Sequence, residues 1–165
     1  MSDHSKRLKK IGQYAQANFS TKHDARETVL PLTRNVIRSC SKSIRAIHRK
    51  EFEQALDFLH QAQQQLSKIK SSLVRHQDIY HTGYVSDAQK EYAEASAIFA
   101  FMANTSLPSH KDLGIEIGPY LNGLAEAASE LRRAILDKLR KNDIAPCDHW
   151  MSTMDEVYSL LVTID

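Results

Sequence analysis

The sequence predicts an all-α fold. Glycine and proline are scarce, five and four in 165 residues, while Ala, Leu, Gln, Lys and Arg are plentiful. Apolar residues recur at intervals of three and four along most of the chain, and no alternating apolar and polar run meets hairpin chemistry. With 42% hydrophobic and 25% charged residues, the length suits one domain with a proper core, expected over residues 1–165.

Residues 3–18 form a basic amphipathic stretch, with Leu8, Ile11, Tyr14 and Ala15 on one side and Lys6, Arg7, Lys9 and Lys10 around them. Residues 1–18 are expected to be a mobile basic arm. Ser20 or Thr21 is a candidate cap for the next helix, whose first turns hold Asp24 and Glu27, where acids suit the helix dipole. From about 22 to 49 the core row is Val29, Leu30, Val36, Ile37, Cys40, Ile44 and Ile47, and Pro31 is expected to kink or split the helix. Residues 50–74 bury Phe52, Ala55, Leu56, Leu59, Ala62, Leu66, Ile69 and Leu73 behind a glutamine-rich exterior.

A short helix over 75–83 is expected to end at Gly83. Ser86 is the candidate cap of the next, 86–103, with Ala88, Tyr92, Ala95, Phe99 and Met102 at helical spacing. Residues 104–118 read as a loop, with Pro108, Gly114 and Gly118. Pro119 suits the first turn of a helix to about 141 that buries Leu121, Leu124, Ala125, Ala128, Leu131, Ile135, Leu136 and Leu139. Pro146 initiates the last helix, 147–163, with Trp150, Met151, Met154, Val157, Tyr158, Leu160 and Leu161 inside.

No run approaches the roughly twenty apolar residues of a membrane span, and the N-terminus has no apolar signal core, so a cytoplasmic location is expected. Cys40 and Cys147 are far apart and form no CxxC, which argues against a disulfide framework or a thiolate zinc site. The net charge of +2 hides an asymmetry. Residues 1–50 hold 12 Lys or Arg against 3 Asp or Glu, and the remaining 115 residues hold 10 against 17. A basic first third suits a polyanion, or the acidic remainder of the chain.

Two sets of residues point to chemistry. On the 86–103 helix, Glu91 and Glu94 continue into the row of Ile98 and Phe101, so both face partly inward. A buried carboxylate needs a partner, either a cation or an ion pair with Lys90. On the 119–141 helix, Glu126 and Glu130 stand four apart, a repulsive spacing unless something positive lies between them, and Arg133 or a cation would serve. On the first long helix, Arg26, Arg34, Arg38, Lys42, Arg45 and Arg49 make a basic ridge, which suits a phosphate backbone or a solvated face neutralised by neighbouring acids. His76 and His81, five apart, have poor spacing for two ligands on one helix, and their rings are candidates for RNA contact.

These residues resemble those of the translin and TRAX family, particularly its single-chain archaeal members. Lys90-Glu91-Tyr92-Ala93-Glu94-Ala95 is similar to a Gln-Glu-Tyr-Val-Glu-Ala signature. The stretch from Tyr120 to Glu126 and Ser129-Glu130-Leu131-Arg132-Arg133 resemble the family's Tyr-Leu-Leu-Gly-Val-Ala-Asp and Gly-Glu-Leu-Met-Arg runs. Arg26-Glu27, Leu32-Thr33-Arg34 and the stretch from Met154 to Tyr158 resemble its first and closing helices, so the likeness covers nearly the whole chain.

The resemblance implies a seven-helix up-and-down bundle that forms a hollow homo-oligomer, commonly an octamer, with nucleic acid inside. It also implies Mg²⁺, with Mn²⁺ as a substitute, on Glu91, Glu94, Glu126 and Glu130, and cleavage of single-stranded RNA there. Glu126 stands where the family has an aspartate. The alternative is a translin-like multimer that binds single-stranded RNA or DNA without cutting it. A di-iron carboxylate bundle fits poorly, because Glu-x-x-His is absent: Glu94 follows Glu91 and Arg133 follows Glu130 at that offset.

Overall fold

The computed structural model describes residues 3–164, all of it helix and connecting turns. Seven helices follow one another: α1 (Asp3–His48), α2 (Phe52–Ser72), α3 (Gln77–Tyr80), α4 (Gly83–Ala103), α5 (His110–Leu113), α6 (Ile117–Arg140) and α7 (Cys147–Val162). The all-α expectation holds. No helix among the described residues is long and apolar enough to cross a membrane.

The organising element is α4, which packs against α1, α2 and α6. Its composition explains why. Ala88, Ala93, Ala95, Ala97 and Ala100 are all buried, and small side chains on several faces let neighbouring helices approach from different sides. Val85, Tyr92 and Ile98 fill the gaps between them. Ile98, Leu124 and Leu131 are each withdrawn almost fully from water, worth about 2 kcal/mol apiece. Buried Gln89 accepts the backbone N–H of Glu116 at 3.0 Å, and so fixes where α6 begins relative to α4. Tyr120 donates to the Pro108 carbonyl at 2.8 Å and ties the preceding loop to the same region.

The first helix differs from expectation. Residues 3–18 are not a separate arm but the opening turns of one 46-residue helix that runs through Ser20, Thr21 and Pro31. Thr21 does not cap; its hydroxyl donates to the Asn18 carbonyl within the continuing helix. Pro31 removes one N–H, the partner of the Glu27 carbonyl, but both residues lie on the exposed side, where water can take that carbonyl. The half before Val29 stands largely clear of the bundle, with Leu8, Ile11, Tyr14 and Phe19 all exposed. Lys22 reaches Asp78 of α3 at 2.7 Å. The half after Val29 carries the predicted core row and pairs with α2 across a tight turn, where Lys50 adopts a left-handed φ of 62° and Ser43 donates to the Ala55 carbonyl.

Smaller corrections follow the same logic. Gly83 opens α4 instead of closing the short helix, and Thr82, not Ser86, sits at its cap. The expected loop contains α5, whose Ser109 and Asp112 form a capping box. Leu56, Leu136, Leu139, Met151, Tyr158 and Leu160 belong to apolar rows yet are exposed. Pro119 and Pro146 stand at helix starts as expected. Both cysteines are buried and free, and burial pushes the Cys40 thiol far above its usual range.

Candidate metal centre and nucleic-acid interface

The acidic site begins with a glycine. At Gly123 the helices α4 and α6 touch so closely that an added Cβ would lie 2.6 Å from both the Ala93 Cβ and the Lys90 carbonyl oxygen, and 2.9 Å from the Glu94 nitrogen. Gly123 sits three residues before Glu126, and the atoms it touches belong to the segment between Lys90 and Glu94. The missing side chain therefore brings the two acidic motifs together.

Glu91, Glu94 and Glu126 each offer a carboxylate oxygen, and these atoms all lie within 4.8 Å of one another. Lys90 explains part of this gathering. Its ammonium donates to both oxygens of Glu126, at 2.7 and 2.8 Å, and stands 3.4 Å from Glu91. The bond to Glu126 raises the Lys90 pKa further, so the cation stays charged. The expected ion-pair partner thus serves Glu126 and Glu91, and Glu94 keeps no hydrogen bond or ion pair among the described residues. Burial, then the charges of Glu91, Glu126 and Glu130, push the Glu94 carboxyl up to about 7.

Glu130 is near enough to act on Glu94, but it does not join the three-residue cluster. It meets His48 Nε2 at 2.6 Å and Arg133 at 3.4 Å. Sequence reading missed His48, which lies at the end of α1, 82 residues away, with no motif around it. The only available signal was its place one turn after Ile44 on the inner flank of the α1 core row.

Arg26, Arg34, Arg38, Lys42 and Arg45 lie exposed along α1, and Arg49 is exposed just past its end. Arg26 pairs with Glu27 at 3.5 Å and Arg49 with Glu51 at 2.7 Å. Lys42 stands 5.5 Å above the Phe58 ring. Arg34, Arg38 and Arg45 make no ion pair among the described residues, so local acids neutralise only part of the row. Arg45 lines the same hollow as His48 and Glu130, which joins the basic row to the edge of the acidic site. His76 and His81 flank α3 and take no part in the cluster.

The donor set suits a hard divalent cation, because every ligand is a carboxylate oxygen. Opposite ligands of Mg²⁺ lie about 4.2 Å apart, twice its usual metal–oxygen distance. Adjacent ligands of the same ion lie only about 3 Å apart, so the three glutamate arms, whose oxygens lie within 4.8 Å of one another, would draw inward to hold it.

No protein-family model matches the chain. An uncharacterized protein of Methanocaldococcus jannaschii is 28% identical over 149 residues, which span 89% of this chain and 66% of that protein. Among solved structures, AfC3PO in complex with duplex RNA superposes with a TM-score of 0.84 at 28% identity, covering 92% of this chain and 78% of the other. A second crystal structure of AfC3PO gives 0.82 at 27% identity, with the same coverage. Apo-NeC3PO covers the whole chain and 84% of its own with a TM-score of 0.78, and at 18% identity shows the shared fold. The chain shares the fold of these C3PO structures, which supports the translin/TRAX-like resemblance of its motifs.

Proposed function

We propose that this chain is a Mg²⁺-dependent endoribonuclease that holds single-stranded RNA inside a hollow, cytoplasmic homo-oligomer. The observation that carries the proposal is the convergence of Glu91, Glu94 and Glu126 at the Gly123 contact, with Glu94 left without a partner. Binding of RNA is supported by AfC3PO, whose solved complex holds duplex RNA. Assembly is supported by exposed apolar residues at both ends of the chain, Leu8, Ile11, Tyr14 and Phe19 on α1 and Tyr158, Val162 and Ile164 around α7.

Glu91, Glu94 and Glu126 would hold Mg²⁺, or Mn²⁺ in its place, with Glu130 closing the set from the His48 side. The bound ion would polarise a phosphate oxygen and lower the pKa of a water. Glu94 would lose its proton as the ion binds, while Lys90 fixes the direction of Glu126. Arg34, Arg38 and Arg45 would hold the backbone by charge without reading sequence, and single-stranded DNA would be held the same way.

A second reading, a container that binds RNA without cutting it, is favoured by Lys90, whose ammonium engages both oxygens of Glu126. One experiment separates the two. Purified chain is incubated with labelled single-stranded and duplex RNA over a range of Mg²⁺ and Mn²⁺. Cleavage that disappears in Glu91→Gln and Glu94→Gln, with the multimer intact, supports the nuclease. RNA retention without product at any metal concentration supports the container. Anomalous scattering from Mn²⁺ between the three carboxylates would locate the ion directly.

A further inference from the structure

A hollow of about 610 Å³ opens beside the acidic site, between the end of α1, the start of α2, the second half of α6 and the start of α7. Its walls combine two chemistries. Phe52, Met102 and Trp150 supply an apolar side, and Phe52 is itself held edge-on by Phe99 at 5.9 Å. Arg45, Lys50 and Lys141 supply cations. Four further basic residues of the wall are already engaged, His48 and Arg133 by Glu130, Arg49 by Glu51 and Lys138 by Asp143. Arg45, Lys50 and Lys141 make no ion pair among the described residues. Lys50 and Lys141 lie just past the ends of α1 and α6, where the helix dipoles favour a cation, and both act on the Asp143 carboxylate, but neither fact accounts for Arg45 or for the apolar wall. Glu130 lines the hollow and joins it to the carboxylates, and Asp137, paired with Arg140, is a second acid in the wall.

We infer that this hollow binds a nucleoside monophosphate unit, its base against Phe52, Met102 and Trp150 and its phosphate on Arg45, Lys50 and Lys141. The volume lies in the range of small-molecule sites, and an apolar wall with a few convergent charges is the usual make-up of such sites. Aromatic rings accept any base, so recognition here is of a base with a phosphate, without sequence preference. The unit is either a free nucleotide or the phosphorylated end of a strand. The inference rests on the RNA-binding half of the function proposed above, and it places one nucleotide next to the carboxylate cluster.

The chain carries its own probe, because Trp150 is its only tryptophan and lines the hollow. The full-length protein, in chelator and without divalent metal, is titrated with AMP, adenosine, inorganic phosphate, and adenylyl-adenosine with and without a 5′ phosphate, while tryptophan fluorescence is read. Saturable change with AMP or the phosphorylated dinucleotide, and little with adenosine or phosphate, is the expected result. AMP alone identifies a free-nucleotide site, and a stronger response to the phosphorylated dinucleotide identifies a strand end. Arg45→Glu with Lys141→Glu should weaken binding at least about a hundredfold, the loss of two charged hydrogen bonds at about tenfold each. Lys141→Ala serves if the double variant does not fold. No saturable change with either nucleotide, an equal response to inorganic phosphate, or unaltered binding in the charge variants would overturn the inference and leave the lysines as helix-end charges only. Glu94→Gln separates the two proposals, since it should abolish cleavage and leave AMP binding as in the wild type. AMP binding in a protein that never cleaves RNA would end the nuclease reading alone.

Discussion

At the crossing of α4 and α6, three glutamates from two helices come within 4.8 Å and one of them keeps no partner. Seven residues beyond Gly123 on α6, about 10 Å along the axis, Glu130 lies outside that cluster and meets His48 and Arg133. Both regions derive from acids spaced by helical repeat, yet one gathers three carboxylates around a single Lys90 and leaves Glu94 unpaired, while the other gives its acid two basic partners. The spacing puts side chains on a face, and the closeness of the neighbouring helix decides what they meet. At Gly123 the backbones touch, so acid faces acid. Farther along α6 a third helix contributes, and α1 presents a histidine.

The largest expected effect comes from moving the helices apart. Gly123→Ala would put a methyl 2.6 Å from two atoms, one of them a backbone carbonyl that cannot turn aside. The cost should be about 2 to 3 kcal/mol, seen as a melting temperature lower by about 4–12 °C. RNA cleavage should fall with it even well below the melting temperature, because the carboxylates separate. A variant with unchanged stability would show that the crossing is not as tight as the geometry requires.

The second effect concerns the sign of a pH dependence. Glu94 has its carboxyl raised from 4.5 to about 7, so the folded state binds a proton more tightly than the unfolded chain does. Its charge therefore costs stability as pH rises from about 4.5 through 7, and the cost is complete above 7. Glu94→Gln should remove a loss on the order of 1–2 kcal/mol at pH 8, smaller than the full shift because solvent screens a half-buried group, and leave stability at pH 4 little changed. Denaturant unfolding at the two pH values measures this directly. Mg²⁺ should stabilise the wild type at pH 8 and not the variant, and a metal-insensitive wild type would favour the container reading.

The unequal legibility of the sequence follows from the same physics. The all-α class, the α2, α6 and α7 spans and the Glu91, Glu94 and Glu126 grouping depend on periodicity and on motifs resembling a known family, which local sequence carries. The continuity of α1 was not legible, because Pro31 normally ends or bends a helix. Whether it does depends on whether the orphaned Glu27 carbonyl reaches water. The exposed faces of Leu136, Leu139, Met151 and Tyr158 look like core in a single chain, since a row meant for another surface has the same pattern as a row meant for the interior. The His48–Glu130 contact spans 82 residues and depends on how α1 lies against α6, which no local pattern encodes.

The smallest expected effect tests the far side of the comparison. His48→Ala would leave Glu130 with only Arg133, at 3.4 Å and on a largely exposed side chain. A lost bond to a partly buried carboxylate should cost about 1–2 kcal/mol, a fall of about 2–8 °C in melting temperature. Glu130→Gln and the double variant complete a cycle, and a coupling of about 1 kcal/mol would show that the two side chains stabilise each other. The same three variants also place Glu130 functionally. If it belongs with the metal ligands, Glu130→Gln should weaken the Mg²⁺ dependence of cleavage more than His48→Ala does. If it serves only to hold the end of α1 against α6, the two should shift stability alike and leave that metal dependence as it is in the wild type.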